Sequence, residues 1–306
     1  AALGGTRLRA TRLFGMARYR SDMQMLTALV GSAVSSGRLE LLRGDLDDAV
    51  SVREIVAVSK PDVVIHLAAQ AYNGVSWGAP LLTLRQNILG TAHLLEALRS
   101  LNLTATRVLM AASSAQYGDG VRQLANRSAP FPESTPQIPL SPYGVSKAAM
   151  ESLGRQYALN FGMKIAFARL FPQVGVGQSE QLALQSFARQ IAIIEYDLER
   201  GETGGRVRVG DLSTRRDYSD VEETAVGLAH LALRGEYEPG EAFNFASGVA
   251  HSMRELLTLM LEQLVPEARG RVGIVTDASR IRPADEALLL GDASKVRDRL
   301  GWAPNH

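Results

Sequence analysis

The residues that could do chemistry lie in Ser141-Pro142-Tyr143-Gly144-Val145-Ser146-Lys147, where a tyrosine and a lysine stand four positions apart. The run that follows, to Phe161, is rich in helix formers, and residues four apart on a helix share one face. The spacing therefore puts a phenol beside an ammonium. A neighbouring cation favours the phenolate and draws the phenol's pKa toward neutrality. A tyrosine tuned in that way exchanges a proton with a substrate oxygen at physiological pH. Lysine is scarce in this chain (Lys60, Lys147, Lys164 and Lys295), so the pair stands out.

Such a pair needs a scaffold. Residues 63–67 and 108–112 are unbroken apolar runs, the pattern of parallel strands buried on both faces. The first ends in Ala68-Ala69-Gln70 and the second in Ser113-Ser114. A long helix is predicted over 81–100, carrying Asn87, Gly90 and Thr91, and a proline-rich loop over 118–140. A strand over 165–170 runs into Phe171-Pro172-Gln173. Upstream, strands are predicted at 11–16 and 39–42 and helices at 22–32 and 48–58, the second capped by Asp47 or Asp48. Strands alternating with helices give a doubly wound α/β fold with a parallel sheet, which binds ligands beyond the carboxyl ends of its strands. After 173 the rhythm changes. Helices are predicted at 179–199, 220–233, 252–264 and 292–300, with short strands at 206–209, 242–245 and 274–276. Ser252 and Glu255 form a capping box at the start of the third of these helices.

Composition narrows the function classes. A net charge of +1 over 306 residues gives no bulk attraction to nucleic acid or to a membrane surface. The absence of Cys excludes disulfides, thiolate metal sites and cysteine nucleophiles, and suits a reducing, cytoplasmic setting. The five histidines (His66, His93, His230, His251 and His306) lack ligand spacing, so no metal site is expected. No apolar run reaches the roughly 18 residues of a membrane span. Arg7, Arg9, Arg12, Arg18 and Arg20 interrupt every apolar patch near the start, which reads as no signal peptide.

Ser113, Tyr143 and Lys147, in that order on a strand end and the next helix, resemble the catalytic triad of the short-chain dehydrogenase/reductase superfamily. Gly44-Asp45-Leu46, His66-Leu67-Ala68-Ala69-Gln70, Asn87 with Gly90-Thr91, and Ser141-Pro142-Tyr143 extend the likeness to its nucleotide-sugar-modifying branch. Gly177-Gln178, Val209-Gly210-Asp211-Leu212, Arg216-Asp217-Tyr218-Ser219-Asp220-Val221, Arg282-Pro283-Ala284-Asp285, Leu290-Gly291-Asp292 and Leu300-Gly301-Trp302 resemble GDP-mannose 4,6-dehydratases and the related GDP-6-deoxy-4-keto-mannose reductases.

The resemblance implies a dinucleotide-binding part over 1–172 and 215–245 and a smaller α/β substrate part over 173–214 and 246–306. It makes Tyr143 the acid or base at the sugar C4 oxygen, Ser113 the group that orients that oxygen, and Lys147 the residue that grips the nicotinamide ribose. The cofactor would be held by Asp45, Leu46, Leu67, Ala68, Ala69, Gln70, Asn87, Tyr143, Lys147, Leu170 and Pro172. Two arginines and no acid in Arg18-Tyr19-Arg20 favour NADP(H), with NAD(H) the second choice. The substrate would be met by Ser76, Ser114, Gln173, Gln178, Arg216 and Arg282, the arginines binding the nucleotide diphosphate. A homodimer or homotetramer is expected through the helices bearing Leu94, Leu95, Leu98, Ala148, Met150, Leu153 and Tyr157.

Three departures shape the expected activity. Gly4-Gly5 is not the glycine-rich turn that opens the family fold, so the chain reads as starting near the end of the first helix. The family's dehydratases carry a Glu two residues after the catalytic Ser/Thr, where this chain has Ala115. The family's Phe-Asn-His reads Phe171-Pro172-Gln173. Together they point to an NADP(H)-dependent oxidoreductase acting at C4 of a GDP-linked 4-keto-6-deoxyhexose. A GDP-mannose 4,6-dehydratase with another base, a C4 epimerase, or a non-catalytic relative that binds a nucleotide sugar are the alternatives.

Overall fold

A computed structural model describes residues 13–17, 39–120, 124, 128–264, 270–282 and 284–304. In chain order these form β1 (Leu13–Ala17), β2 (Leu39–Arg43), α1 (Ala49–Ser59), β3 (Val63–His66), α2 (Asn73–Gly78), α3 (Pro80–Leu84), a π turn (Arg85–Leu89), α4 (Gly90–Ser100) and β4 (Arg107–Ser113). After a long loop come α5 (Pro142–Phe161), β5 (Lys164–Leu170), β6 (Gln173–Val174), α6 (Ala183–Glu199), β7 (Gly205–Val209), β8 (Arg215–Asp217) and β9 (Ser219–Asp220). The remainder is α7 (Val221–Arg234), β10 (Glu241–Phe245), β11 (Ala250–Ser252), α8 (Met253–Glu262), β12 (Val272–Thr276), β13 (Leu288–Leu289) and α9 (Ser294–Leu300).

The main sheet is parallel, in the order β10-β5-β4-β3. Helices cover both of its faces, as the doubly wound pattern requires. On one side Val52, Leu95, Leu98 and Met150 from α1, α4 and α5 pack on Val108, Met110 and Phe167. On the other, Leu228 and Leu231 of α7 and Val296 and Leu300 of α9 pack on Leu109, Ala166 and Phe243. A third core, around Phe187, Ile191, Val207 and Leu257, holds α6 and α8 to β7.

Two local expectations are corrected. β3 is not buried on both faces: Ile65 is 40% exposed, and among the described residues β3 ends the four-stranded order, paired with β4. The helix expected over 81–100 runs unbroken from Pro80 to Ser100, with the π turn joining α3 to α4. The π turn shifts the side chains of one turn out of helical register, and Asn87 sits buried within it. The helix expected from 179 begins at Ala183.

Helix α5 positions the predicted pair. Ser141 caps it, its Oγ accepting from the Gly144 N–H at 3.1 Å, and Pro142 occupies the first turn. A Cβ on Gly154 would lie 2.8 Å from the Phe167 ring and 2.9 Å from the Met110 sulfur. The helix therefore rests directly on β4 and β5 at that glycine, and its N-terminal turn lies over the carboxyl end of the sheet.

Candidate active site

Ser113 is the last residue of β4 and stands in register opposite Leu170, the last residue of β5. Past Ser113 the chain turns through a short helix, Ser114–Gln116. The Ser113 hydroxyl accepts from the Ala115 N–H at 3.2 Å, and the Gln116 Oε1 accepts from the Ser113 N–H at 3.3 Å. That loop touches the first turn of α5, since a Cβ on Gly144 would lie 2.5 Å from the Ala115 carbonyl oxygen. Contact between these two elements brings Ser113 to Tyr143, near enough for the Ser113 hydroxyl to act on the phenol. Lys147, one turn further on, is buried and donates from Nζ to the Ala111 carbonyl at 2.6 Å, with the ammonium 5.9 Å from the centre of the Tyr143 ring.

The electrostatics differ from the simple tyrosine–lysine argument. Burial pushes the Tyr143 phenol up from its ordinary value, only partly opposed by the Ser113 hydroxyl. Burial also brings the Lys147 ammonium down to about 8. Desolvation penalises both charged forms. The pair in the protein alone is a neutral phenol beside a weakly held cation. His66, at the end of β3, is held at about 4 by burial and then by Lys147, and its Nε2 lies 3.0 Å from the Thr91 Oγ1.

The turn after β3 is tied to the same helix. The Asn87 Oδ1 accepts from the Gln70 N–H at 2.7 Å, and its Nδ2 donates to the Gln70 carbonyl at 3.1 Å and to the Ser146 Oγ at 2.8 Å. Ser146 in turn donates to the Tyr143 carbonyl at 2.7 Å. Asn87, within the π turn, thus fixes the turn at 70 against the turn of α5 that carries Tyr143. Leu67 and Ala68 remain exposed at this edge, with Ala69 half-buried. Small side chains and open backbone beside a buried ammonium suit the ribose of a dinucleotide, so the residues present fit the cofactor that the sequence implies. Asp45 makes a local turn, its Oδ1 accepting from the Asp47 N–H at 3.0 Å, and the Leu46 carbonyl lies 2.6 Å from the His93 Nδ1. Arg18, Arg20 and the Gly4-Gly5 pair lie outside the described residues.

The expected substrate residues fall into two groups. Arg216 is buried and donates to the Asp285 carboxylate at 2.7 Å and to the Glu286 carbonyl at 2.8 Å. Arg282 reaches the same carboxylate at 3.4 Å, so both arginines converge on Asp285. Nearer the triad, Pro172 accepts at its carbonyl from the Ser219 N–H, and Gln178 donates from Nε2 to the Gln173 carbonyl, each at 3.0 Å. Ser76 is buried with its hydroxyl on the Asn73 carbonyl at 2.7 Å, and Ser114 is buried beside Ser113.

Sequence reasoning missed a buried ionic network behind the triad. Glu151, one turn beyond Lys147 on α5, receives Arg169 at 2.6 and 2.9 Å, Gln116 at 2.6 Å, Arg155 at 2.8 Å and Gln137 at 3.1 Å. Arg169 also donates to the Tyr117 hydroxyl at 2.9 Å, which donates to the Asn244 Oδ1 at 2.6 Å. The signal was present: an arginine inside the apolar run Ile165-Ala166-Phe167-Ala168-Arg169-Leu170-Phe171 needs a buried anion. Since Gln116 holds both Glu151 and the Ser113 N–H, the network bears on the position of Ser113.

Over residues 9–306 the chain matches the model of a family described as GDP-mannose 4,6 dehydratase. The GDP-6-deoxy-D-mannose reductase of Pseudomonas aeruginosa is 35% identical over 244 residues, covering 80% of this chain and 75% of the relative. The GDP-mannose 4,6-dehydratase of Vibrio cholerae is 29% identical over 286 residues, covering 85% and 73%. Among solved structures, RMD from Pseudomonas aeruginosa complexed with NADPH is similar at a TM-score of 0.76 and 31% identity, covering 96% of this chain and 93% of that one.

Proposed function

Because the chain belongs to the GDP-mannose 4,6-dehydratase family, we propose that it is an NADP(H)-dependent oxidoreductase that reduces C4 of a GDP-linked 4-keto-6-deoxyhexose. The observation that carries this reading is the half-buried Tyr143 beside Ser113, its phenol raised by desolvation, with Ala115 at the position where the family's dehydratases have their Glu. Reduction of a ketone needs a proton donor at the oxygen, and a phenol whose pKa burial has raised is in the donating form at neutral pH. Elimination across C5 and C6 needs a second acid and base, and an alanine methyl is neither.

A reduced nicotinamide, when bound, supplies the hydride to C4. Tyr143 donates its phenolic proton to the C4 oxygen, so that C4=O becomes C4–OH, and the phenolate regains a proton from solvent. Ser113 hydrogen-bonds the same oxygen and orients it. The Lys147 ammonium stabilises the transient phenolate. Leu67, Ala68, Ala69, Gln70, Asn87 and Lys147 would hold the dinucleotide, with Asp45 and Leu46 toward its adenine end and Leu170 and Pro172 toward its nicotinamide. Arg216 and Arg282 would hold the diphosphate of the substrate, in exchange for Asp285.

We place the enzyme in the cytoplasm, where its cofactor is kept reduced; no helix among the described residues is long and apolar enough to cross a membrane. We also propose that it pairs with a second copy. Leu94, Leu95, Leu98 and Met150 are core residues rather than the surface expected for that role, which passes to the exposed Leu81, Leu89 and Leu159 on the same helical layer.

Tyr143→Phe tests the assignment. Loss of the general acid lowers turnover of a GDP-4-keto-6-deoxyhexose by about 10²–10⁴-fold, followed as consumption of NADPH, while NADPH affinity measured by fluorescence stays the same. Unchanged turnover would remove Tyr143 from the role. Release of water from GDP-mannose without net NADPH consumption would identify a dehydratase instead.

A further inference from the structure

The short ladder β6–β9 lies beside the triad. Its first residue, Gln173, comes three positions after Leu170, which faces Ser113 across the sheet. Three residues of chain span at most about 10 Å. In the ladder Gln173 pairs with Ser219 and Val174 with Asp220. Directly paired residues point to the same face and successive residues to opposite faces. Val174 and Tyr218 pack against the third core, so Gln173 and Ser219 share the face turned away from it.

Two polar atoms on that face, the Gln173 Nε2 and the Ser219 Oγ, are buried without a hydrogen-bond partner, as is the Oε1 of the adjoining Gln178. Ser219 is 2% exposed. Gln178 belongs to the same cluster, because its own Nε2 donates to the Gln173 carbonyl. A buried polar atom left unpaired is costly, and such atoms are a few per domain rather than clustered.

Their chemistry specifies what would complete them. The free atom of Gln173 is a donor only, the free atom of Gln178 is an acceptor only, and a serine hydroxyl is both. A phosphate, which only accepts in its ionised form, would leave Gln178 facing a negative charge. An apolar group would satisfy none of the three. A hydroxyl, which donates and accepts, completes a donor and an acceptor at once, and a pair of adjacent hydroxyls completes the whole set.

We infer that Gln173, Gln178 and Ser219 form a subsite that reads the ring hydroxyls of the sugar, separate from the arginines that would take the diphosphate. This deepens the reading above and rests on it, in that the ligand is taken to be a nucleotide-linked pyranose. It adds Ser219 as a specificity-determining residue. It also gives a use to the departure at 171–173, since a Pro-Gln pair removes the amide of the usual asparagine and supplies one from the next position.

The test compares GDP-mannose with GDP as calorimetric probes of the intact chain with NADPH bound. Ser219→Ala and Gln173→Met should each weaken GDP-mannose binding about tenfold, the size of one lost hydrogen bond, and leave GDP and NADPH affinities unchanged. Gln178→Glu, which keeps an acceptor in place, should lose less than Gln178→Met. Equal loss for GDP and GDP-mannose, or no loss for either, would overturn the subsite while leaving the oxidoreductase reading intact. A wild-type protein that binds NADPH but neither GDP-mannose nor any other nucleotide sugar would instead overturn the reading beneath it. Thermal melts of the variants separate binding loss from unfolding: if Ser219→Ala unfolds, Gln173→Met carries the comparison.

Discussion

The buried clusters around Glu151 and Ser219 lie at the same end of the sheet and use similar groups, yet they are finished differently. The Glu151 carboxylate receives six donors from four side chains, and Arg169, Tyr117 and Asn244 pass the chain of hydrogen bonds on to the Phe131 carbonyl. Around Ser219, three buried polar atoms have no partner. The first cluster is closed and can only hold its surroundings in place. The second is open and can only be completed from outside. A closed ionic cluster contributes rigidity at the cost of desolvation, while an open one costs stability for the sake of a ligand. On the proposed reading the difference separates residues that would position the triad from residues that would meet the substrate, and it can be broken or sharpened by mutation.

The largest effect expected is at the closed cluster. Arg169→Met removes the guanidinium that is bidentate on Glu151 and leaves a carboxylate that is 1% exposed facing fewer donors. Breaking a buried pair on one side costs about 3–5 kcal/mol, to be read as a fall in the urea midpoint at an unchanged slope. The double variant Glu151→Leu, Arg169→Met should recover part of the loss, since it strands no charge. A loss below about 1 kcal/mol, within the usual range of exposed pairs, would mean that the cluster is not closed in solution.

The same cluster predicts a pH dependence. The hydrogen bonds and charge of Arg169, with those of Gln116 and Arg155, outweigh burial and hold the Glu151 carboxyl at about 2, against an ordinary 4.5. A carboxyl whose pKa is depressed on folding stabilises the protein above its unfolded value, and that contribution is lost as pH falls through the folded one. The window is therefore between about 4.5 and 2, and the whole contribution is on the order of 3 kcal/mol. Denaturation at stepped pH should show stability falling across this window in the wild type and a shallower fall in Glu151→Gln. Equal slopes would remove Glu151 as the titrating group.

How much of this was legible in the sequence depends on whether a neighbour in the chain or a neighbour in space decides the outcome. The β4 and β5 strands, the helix after Lys147 and the Ser252–Glu255 capping box were readable, because apolar runs, helix formers and capping residues act within a few positions. Tyr143 and Lys147 were readable for the same reason. The sign of the Tyr143 shift was not: a lysine four residues away argues for a lowered phenol, whereas the surrounding protein desolvates both groups. The exposure of β3 was hidden too, since an apolar run does not say whether a second strand pairs with it. Glu151 and Arg169 are eighteen positions apart, and Gln173 and Ser219 meet only because β6 and β9 form a ladder. Such clusters are properties of the topology.

Lys147 carries a second pH dependence. Burial brings its ammonium down to about 8, so the charge that would stabilise a Tyr143 phenolate is lost as pH rises past that value. The dependence of kcat/KM on pH reports groups of the free enzyme, and its alkaline limb should fall from about 8, tenfold per unit. Lys147→Arg, which stays charged at all accessible pH, should flatten that limb even if its maximum is lower. A limb that remains at the same pH in Lys147→Arg would assign it to Tyr143 or to substrate instead.

The smallest effect is the one that decides whether the clusters truly differ. In the free protein the Ser219 hydroxyl has no partner to lose, so Ser219→Ala removes an unsatisfied buried polar atom and creates a methyl of nearly the same shape. Its stability should stay within about 0.5 kcal/mol of wild type or rise slightly. Tyr117→Phe is the matched change in the closed cluster: it also deletes one hydroxyl, but it strands the Asn244 Oδ1 and one Arg169 N–H, and should cost about 1–3 kcal/mol. With saturating GDP-mannose the order reverses for ligand-induced stabilisation, because a ligand stabilises only in proportion to how well it is bound. Ser219→Ala should then gain less from the ligand than wild type does, and Tyr117→Phe should gain as much. If Ser219→Ala costs as much as Tyr117→Phe without ligand, its hydroxyl is already partnered in solution and the open cluster is closed after all.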